Sequence, residues 1–493
     1  MSDLIFLTLD LYLYDLRDTL GQTSEESEKN WETFKKKLPE ELKSNLQRDP
    51  QFESDFTELF GQQQIVKFQT NTDPPHEGYY YPIRLNDTYG LLLSCSIADR
   101  QKSYAAKSIR SLNQDIEKRL NSEKPSLGRS WVIYGQLAYP DEQSPEEIAK
   151  ICYRSLLPCR EWDEDLQGRT CIFNTHFFEL SSHRIVLKEN SSTENRKTRG
   201  SRRSLDGSIQ EGEHVVIILY PTENIAKRAA TLLNFEWMSL FHYRAKILFS
   251  YGQSRSLKQW LKEDAIAIRE CLQDIRNSNL KTRAFKKLQR TLDRTRKILP
   301  DYTIDLGSLN DQITTIEINL HDYQLRVQAI ADLLTQKFSP TVAEERTPFD
   351  LTFLDRFGER VRDRYLLQMN KERDYFSSTL KTLEASIETT WAIVEIDRSR
   401  RDRNFQNTVA IVGVGLGAGS AAASISGQFP TSNEAISIAQ LRQHPIGAIV
   451  DRIPGLPSLW LRPVISGVYC LGVAFAFAGL TAIALALWER RPR

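Results

Sequence analysis

Near the start of the chain, apolar and polar residues alternate with a period of two. Leu7, Leu9, Leu11 and Leu13 are interleaved with Thr8, Asp10, Tyr12 and Tyr14, the pattern of a half-buried strand. Further strand-like runs occupy 65–70, 89–97, 130–139, 171–180, 183–189 and 213–221, and helical patterns lie near 24–48, 101–122 and 144–157. Strands mixed with helices predict a soluble α/β domain over residues 1–220.

After Pro221 the period changes to that of amphipathic helices. Long helical patterns cover about 222–251, 254–299 and 304–337, each ended by a breaker at Gly252, Pro300 or Pro340. Another starts near Thr347 or Pro348 and meets no proline before Pro430. Its apolar residues Phe376, Leu380, Leu383, Ile387, Trp391 and Val394 are three or four apart, the stripe of a helix packed on other helices. A helical stalk is therefore expected over 221–403.

Charge then disappears. No Asp, Glu, Lys or Arg occurs between Arg403 and Glu434, or between Arg462 and Glu489. A membrane-crossing helix takes roughly 20 apolar residues, so these windows predict spans at about 405–427 and 464–488 within a 404–493 domain. The fold class expected is α+β: an N-terminal soluble α/β domain, a long helical stalk and two C-terminal transmembrane helices. Gly413, Gly415 and Ala418 fit part of a dinucleotide fingerprint, but the charged helical run before Thr408 leaves no βαβ unit around them. Small residues recur instead every four positions, at Gly415, Gly419, Ala423 and Gly427, as in closely packed membrane helices.

On a helical wheel Asp402, Gln406, Gly413, Gly417, Ser420, Ser424 and Gly427 share an arc of about 80°. Such a face either lines a pore in a ring of identical helices or packs on the second span. In the pore reading, Asp402 and Gln406 form rings at the inner mouth. Arg398, Arg400, Arg401 and Arg403 before the first span, and Trp488, Arg490, Arg491 and Arg493 after the second, predict a multi-pass inner (plasma) membrane protein with both termini cytoplasmic.

The net charge of +1 averages unlike segments, and no nucleic-acid partner is expected from it. One run is strongly basic: Arg196, Lys197, Arg199, Arg202 and Arg203 make either a solvated loop or a contact for a small anionic or nucleotide ligand. Six cysteines without a Cys-x-x-Cys pair, only Cys171 having a histidine (His176) nearby, argue against a zinc site or a disulfide framework. The apolar N-terminus carries Asp3, Asp10 and Asp15 and no basic flank, unlike a signal peptide. No G-x-S-x-G, Walker or H-E-x-x-H motif is present, and the seven histidines are dispersed, so no enzyme is expected.

The order of elements, with a stalk helix leading into two spans and a basic tail, resembles the CorA family of divalent-cation channels and transporters. That family carries Gly-Met-Asn after the first span; here the position reads Gly427, Gln428, Phe429, and only the glycine matches. The resemblance implies a homo-oligomer, typically a pentamer in the lipid bilayer, with Gln428 at the outer mouth, no covalent cofactor and a divalent cation as candidate ion. It also fits CorA-like membrane effectors of CRISPR defence gated by a nucleotide messenger. The alternative function is a membrane-anchored helical scaffold that conducts nothing.

Overall fold

A computed structural model describes residues 3–18, 22–47, 56–61, 65–172, 174–187, 208–277, 282–338 and 351–401, with scattered positions between 471 and 483. The chain divides into two compact units. One comprises Met1–Ala267 with Leu299–Leu380, the other Ile268–Ile298 with Lys381–Arg493.

The first unit is built on one mixed sheet. Its described strands are β1 (Asp3–Leu16), β2 (Phe56–Glu58), β3 (Val66–Gln69), β4 (His76–Leu85), β5 (Thr88–Ile97), β6 (Tyr104–Ala105), β7 (Gly128–Leu137), β8 (Leu166–Ile172), β9 (Thr175–Leu187) and β10 (Ser208–Tyr220). They lie in the order β2-β4-β5-β1-β7-β10-β9-β8, with β3 beside β4 and β6 beside β1. The β7–β10 pair is parallel and the other described pairs are antiparallel. β1 is thus central rather than half-buried, and Asp10, Tyr12 and Tyr14 are as buried as the leucines between them. A bulge at Phe6, whose φ is +53°, shifts the alternation so that Leu4 joins Leu7, Leu9 and Leu11 in the same core.

Two strands differ from expectation for local reasons. β9 runs unbroken through Ser181 and Ser182, joining what the sequence pattern divides at that point. β4 carries Pro82, which reads as a breaker. Pro82 falls in the gap along the β4 edge between the partners of β3, which end at Tyr80, and those of β2, which begin at Ile83, so no ladder bond is lost there.

One sheet face is largely apolar, its buried polar exceptions including the Lys37–Asp15 ion pair at 3.0 Å. Helices α1 (Ser24–Lys35), α3 (Ile109–Arg119), α4 (Pro145–Leu156) and α5 (Trp162–Asp165) contribute Trp31, Phe34, Leu112, Ile116, Ile148 and Trp162 to it; the short α2 (Glu40–Lys43) follows α1. α1 begins with a capping box between Thr23 and Glu26, and α4 is capped by Ser144 ahead of Pro145. The opposite face presents Asp10, Tyr12, Tyr14, Ser130, Tyr134, Glu179 and His214, all buried. It is covered by α6 (Glu223–Asn277): the Tyr14 hydroxyl donates to the Met238 carbonyl at 2.7 Å, and the Tyr12 and Phe241 rings meet edge to face at 5.2 Å.

α6 passes straight through Gly252, and α7 (Thr282–Phe338) passes through Pro300, so neither breaker ends its helix. An interior glycine costs only about 1 kcal/mol, and burial of Tyr251, Leu257 and Leu261 around it outweighs that. Pro300 is flanked by the buried Ile298 and Tyr302. The following helix, α8 (Thr352–Arg360), runs through π-helical turns at Val361–Leu366 into α9 (Leu367–Arg401). The wider turn brings Tyr365 into a stack on Tyr251, with ring centroids 4.0 Å apart, beside an ion pair of Arg255 with Glu372 at 2.7 Å. The apolar stripe of α9 is buried at Phe376 and Leu383 and has faded by Trp391, which is 43% exposed.

The expectation of two transmembrane helices is overturned. Among the described residues no helix is long and apolar enough to cross a membrane. The long helices that are described carry charged residues throughout their length, whereas a span needs about 20 apolar residues in a row. The fold is α+β, a large mixed sheet with helices, and the placement as a multi-pass inner-membrane protein falls with the spans. The 405–427 window lies outside the described residues, as does most of 464–488.

Candidate functional site

The α6-facing side of the sheet holds a buried polar network. Ser130 on β7, His214 on β10 and Glu179 on β9 become neighbours because β10 pairs with β7 on one side and β9 on the other. His214 Nε2 lies 3.1 Å from Glu179 Oε1, and Nδ1 lies 2.9 Å from Ser130 Oγ. A carboxylate only accepts, so Nε2 carries the proton and Nδ1 accepts from the Ser130 hydroxyl. Burial, helped by the charge of Arg244, pushes the His214 pKa down to about 4 against the pull of Glu179, so the imidazole is neutral near pH 7.

Arg244 enters from α6. Its Nη2 donates to Ser181 Oγ at 2.5 Å, its Nη1 is 3.8 Å from Glu179 Oε1, and its guanidinium stacks 4.0 Å from the Phe357 ring on α8. One charged side chain thereby touches the sheet on one side and a second helix on the other. Burial lowers its pKa, and Nε and Nη1 make no hydrogen bond among the described residues, nor does Glu179 Oε2. Beside the network is a cavity of about 40 Å³, lined by Ser130, Ser182, His214, Arg244 and the Arg129–Glu213 ion pair, which closes at 2.7 Å.

Further along the same face, Asp10 sits opposite Ser94 and close to Tyr12, Tyr134 and Tyr220. Burial raises its pKa from 3.8 to about 7, opposed by the hydrogen bond from Ser94. The tyrosine hydroxyls around it are held above their ordinary range by burial as well.

Ser130, His214 and Glu179 have the chemistry of a nucleophile, a base and an orienting carboxylate. Their surroundings do not suit that use: Ser130 and Glu179 are 4% and 1% exposed, and the cavity has room for water rather than an acyl substrate. What the arrangement does is hold α6 on the sheet by charge and hydrogen bonding at a point where both are costly to disturb.

Every candidate pore residue, Asp402, Gln406, Gly413, Gly417, Ser420, Ser424, Gly427 and Gln428, lies outside the described residues. So do Arg196, Lys197, Arg199, Arg202 and Arg203. Cys171 and His176 do face each other across the β8–β9 hairpin, with Sγ 3.8 Å from Nε2 at an exposed position. The network itself leaves only a faint trace in sequence: single polar or charged residues inside apolar runs, as Asp10 in "LTLDLYLY", His214 before "VVIILY" and Arg244 in "FHYRAKILF". A metal-capable group also forms from residues far apart in sequence, His76, Cys95 and Asp115, on the apolar side of the sheet.

The chain matches no protein-family model and no protein in a search of curated sequences.

Proposed function

We propose that the protein is a helical scaffold that assembles with copies of itself, its α+β head anchoring the long helices through Arg244. The supporting observation is the two-sided patterning of α7. Leu309, Ile313, Ile316, Leu320, Tyr323, Val327, Ile330 and Leu334 form a buried seam with alternating three- and four-residue spacing. Diametrically opposite, at one repeated heptad position, Ile304, Ile318 and Leu325 are 65%, 57% and 57% exposed. Asp311 and Asp332 fall at the same heptad position, and Thr314, Thr315 and Asp322 lie beside it on this outer face. A solvated helix would fill its outermost position with charged residues; here isoleucine or leucine takes three of its five places from 304 to 332, which suits a second helix with the same period, and an identical chain supplies one.

The test is the mass of the full chain in solution by mass photometry or sedimentation, for the wild type and for Ile304→Lys with Ile318→Lys and Leu325→Lys. An oligomer that falls to monomer in the triple variant, with helical circular dichroism unchanged, supports the reading. A monomeric wild type, or an oligomer indifferent to the three lysines, removes it.

A further inference from the structure

Within the apolar core, among leucine and isoleucine, a cluster of three polar side chains interrupts the packing. His76 opens β4, Cys95 lies on β5 and Asp115 on α3; His76 and Cys95 are 2% and 0% exposed. We propose that these three side chains bind a divalent cation of the zinc class in tetrahedral coordination, with the fourth position left to water or another small ligand.

The neighbours of His76 set its tautomer. The Ser111 hydroxyl donates to the Ser108 carbonyl at 2.8 Å, so its oxygen is left to accept from His76 Nε2, 3.4 Å away. The neutral ring then turns the lone pair of Nδ1 toward Asp115 Oδ2, at 3.3 Å. Two lone pairs at that separation repel unless a proton or a metal ion lies between them. Cys95 Sγ is 3.7 Å from the same Oδ2, and the three donor atoms all lie within 4.8 Å of one another.

Two of the three donor separations are those of a metal tetrahedron. Bonds of about 2.05 Å to nitrogen and oxygen and about 2.3 Å to sulfur give tetrahedral edges of about 3.4 Å between nitrogen and oxygen and about 3.6 Å between sulfur and oxygen. The observed edges to Asp115 Oδ2, 3.3 Å and 3.7 Å, fit such an ion, and the third, between His76 and Cys95, lies within 4.8 Å and closes on binding. The outer contacts fit too. Arg119 Nε pairs with Asp115 Oδ1 at 3.1 Å, leaving Oδ2 for the ion, and Ser111 fixes the imidazole from behind.

Charge balances at the ion as well. A dication meets one thiolate, one carboxylate and one neutral imidazole, a sum of zero over the ligands, and the Arg119 guanidinium on Asp115 Oδ1 leaves one positive charge at a position 18% exposed. Binding forms an S–metal bond and breaks the Cys95 S–H bond, the proton going to solvent; Asp115 and His76 give up none. One sulfur, one nitrogen and one oxygen donor favour zinc or cobalt over magnesium or calcium, which prefer oxygen alone.

The test uses the full chain, stripped with a chelator and titrated with Co²⁺ in a Cys171→Ser background, which removes the exposed Cys171–His176 pair. The expected result is a thiolate-to-cobalt absorption saturating near one equivalent, bleached by Zn²⁺, with about one proton released per ion. Cys95→Ser abolishes that band and His76→Gln weakens binding at least about tenfold, each variant being checked for unchanged far-ultraviolet circular dichroism. Absence of the band from the folded Cys171→Ser chain overturns the proposal. So does a band that persists in folded Cys95→Ser, or one that His76→Gln leaves at full affinity; were both variants unfolded, absence of proton release from the Cys171→Ser chain would overturn it equally.

Discussion

The two faces of the central sheet bury their side chains equally well but by different physics. One face is mainly leucine, isoleucine and aromatic carbon, with the Lys37–Asp15 pair and the His76 cluster as buried exceptions, and its helices are held chiefly by area removed from water. The other carries a carboxylic acid, tyrosines, a neutral histidine and a Glu179–Arg244 pair beneath α6. A face of the first kind tolerates exchange of one apolar shape for another, because its energy is spread over many weak contacts. The second concentrates its energy in a few groups that only the right partner satisfies, so it fixes where α6 sits.

The sharpest way to break this contrast is to remove one half of the buried pair. Glu179→Ala leaves the Arg244 guanidinium buried without its countercharge and is expected to cost about 3–5 kcal/mol in denaturant unfolding. A loss under about 1 kcal/mol would place the polar face on the same footing as the apolar one.

Acid titration gives the next largest effect. His214 and His242 are buried neutral, His214 with its pKa lowered to about 4 and His242 lowered mainly by burial, then by Lys246; each binds a proton below 6.5 once unfolded. Their stabilisation is complete above pH 6.5 and is lost as pH falls toward 4. Asp10 acts in the opposite sense: its raised pKa means that the native state keeps a proton the unfolded chain releases above 3.8, so its contribution declines from about pH 4 to about 7. Between about pH 4 and 6.5 these three groups together take up one net proton on unfolding and contribute about 1.4 kcal/mol of stability per pH unit, with His176, lowered by burial, adding in the same sense. Asp10→Asn removes the opposing proton and about doubles that slope, measurable by urea unfolding across the range. An unchanged slope would show that Asp10 is ionised in the folded protein.

The smallest effect belongs to the apolar side. Ile133→Val removes one methylene from a fully buried position and should cost about 1 kcal/mol by the same unfolding measurement, without pH dependence. A cost like that of Glu179→Ala would mean that this face is as specific as the other.

Much of the sheet was legible in sequence because strands buried on one or both sides leave a short-range record. β1, β5, β7 and β10 lie on the alternating or continuous apolar runs that predict them. β4 was not legible, since Pro82 and the polar positions around it hide a strand whose partners are out of reach of any local pattern. Helix ends failed at Gly252 and Pro300 because tertiary burial overrode local breakers. The spans read from charge-free windows were overturned among the described residues, and the pore and basic-loop residues fell outside them. Neither polar cluster could be read from spacing. Ser130, Glu179, His214 and Arg244 meet only through strand order, and His76, Cys95 and Asp115 only through the packing of α3 on β4 and β5. The absence of close Cys and His pairs, which argued against a metal, concerns neighbours in sequence and says nothing about neighbours across a sheet.

The position of β1 between β5 and β7 sets an order for synthesis. Helices α1, α3 and α4 on the apolar face have been made once residue 156 is added, whereas Trp162, Phe178 and Ile217 of the same core, the end of β10 at Tyr220 and Arg244 follow later. At roughly 5–20 residues per second the ribosome takes on the order of ten seconds to cover that interval. During it Asp10, Tyr12 and Tyr14 face water and the β7 edge waits for its parallel partner. A nascent chain paused there would present an open strand edge beside a partly covered core, which makes this interval the one in which a holding chaperone has most to protect.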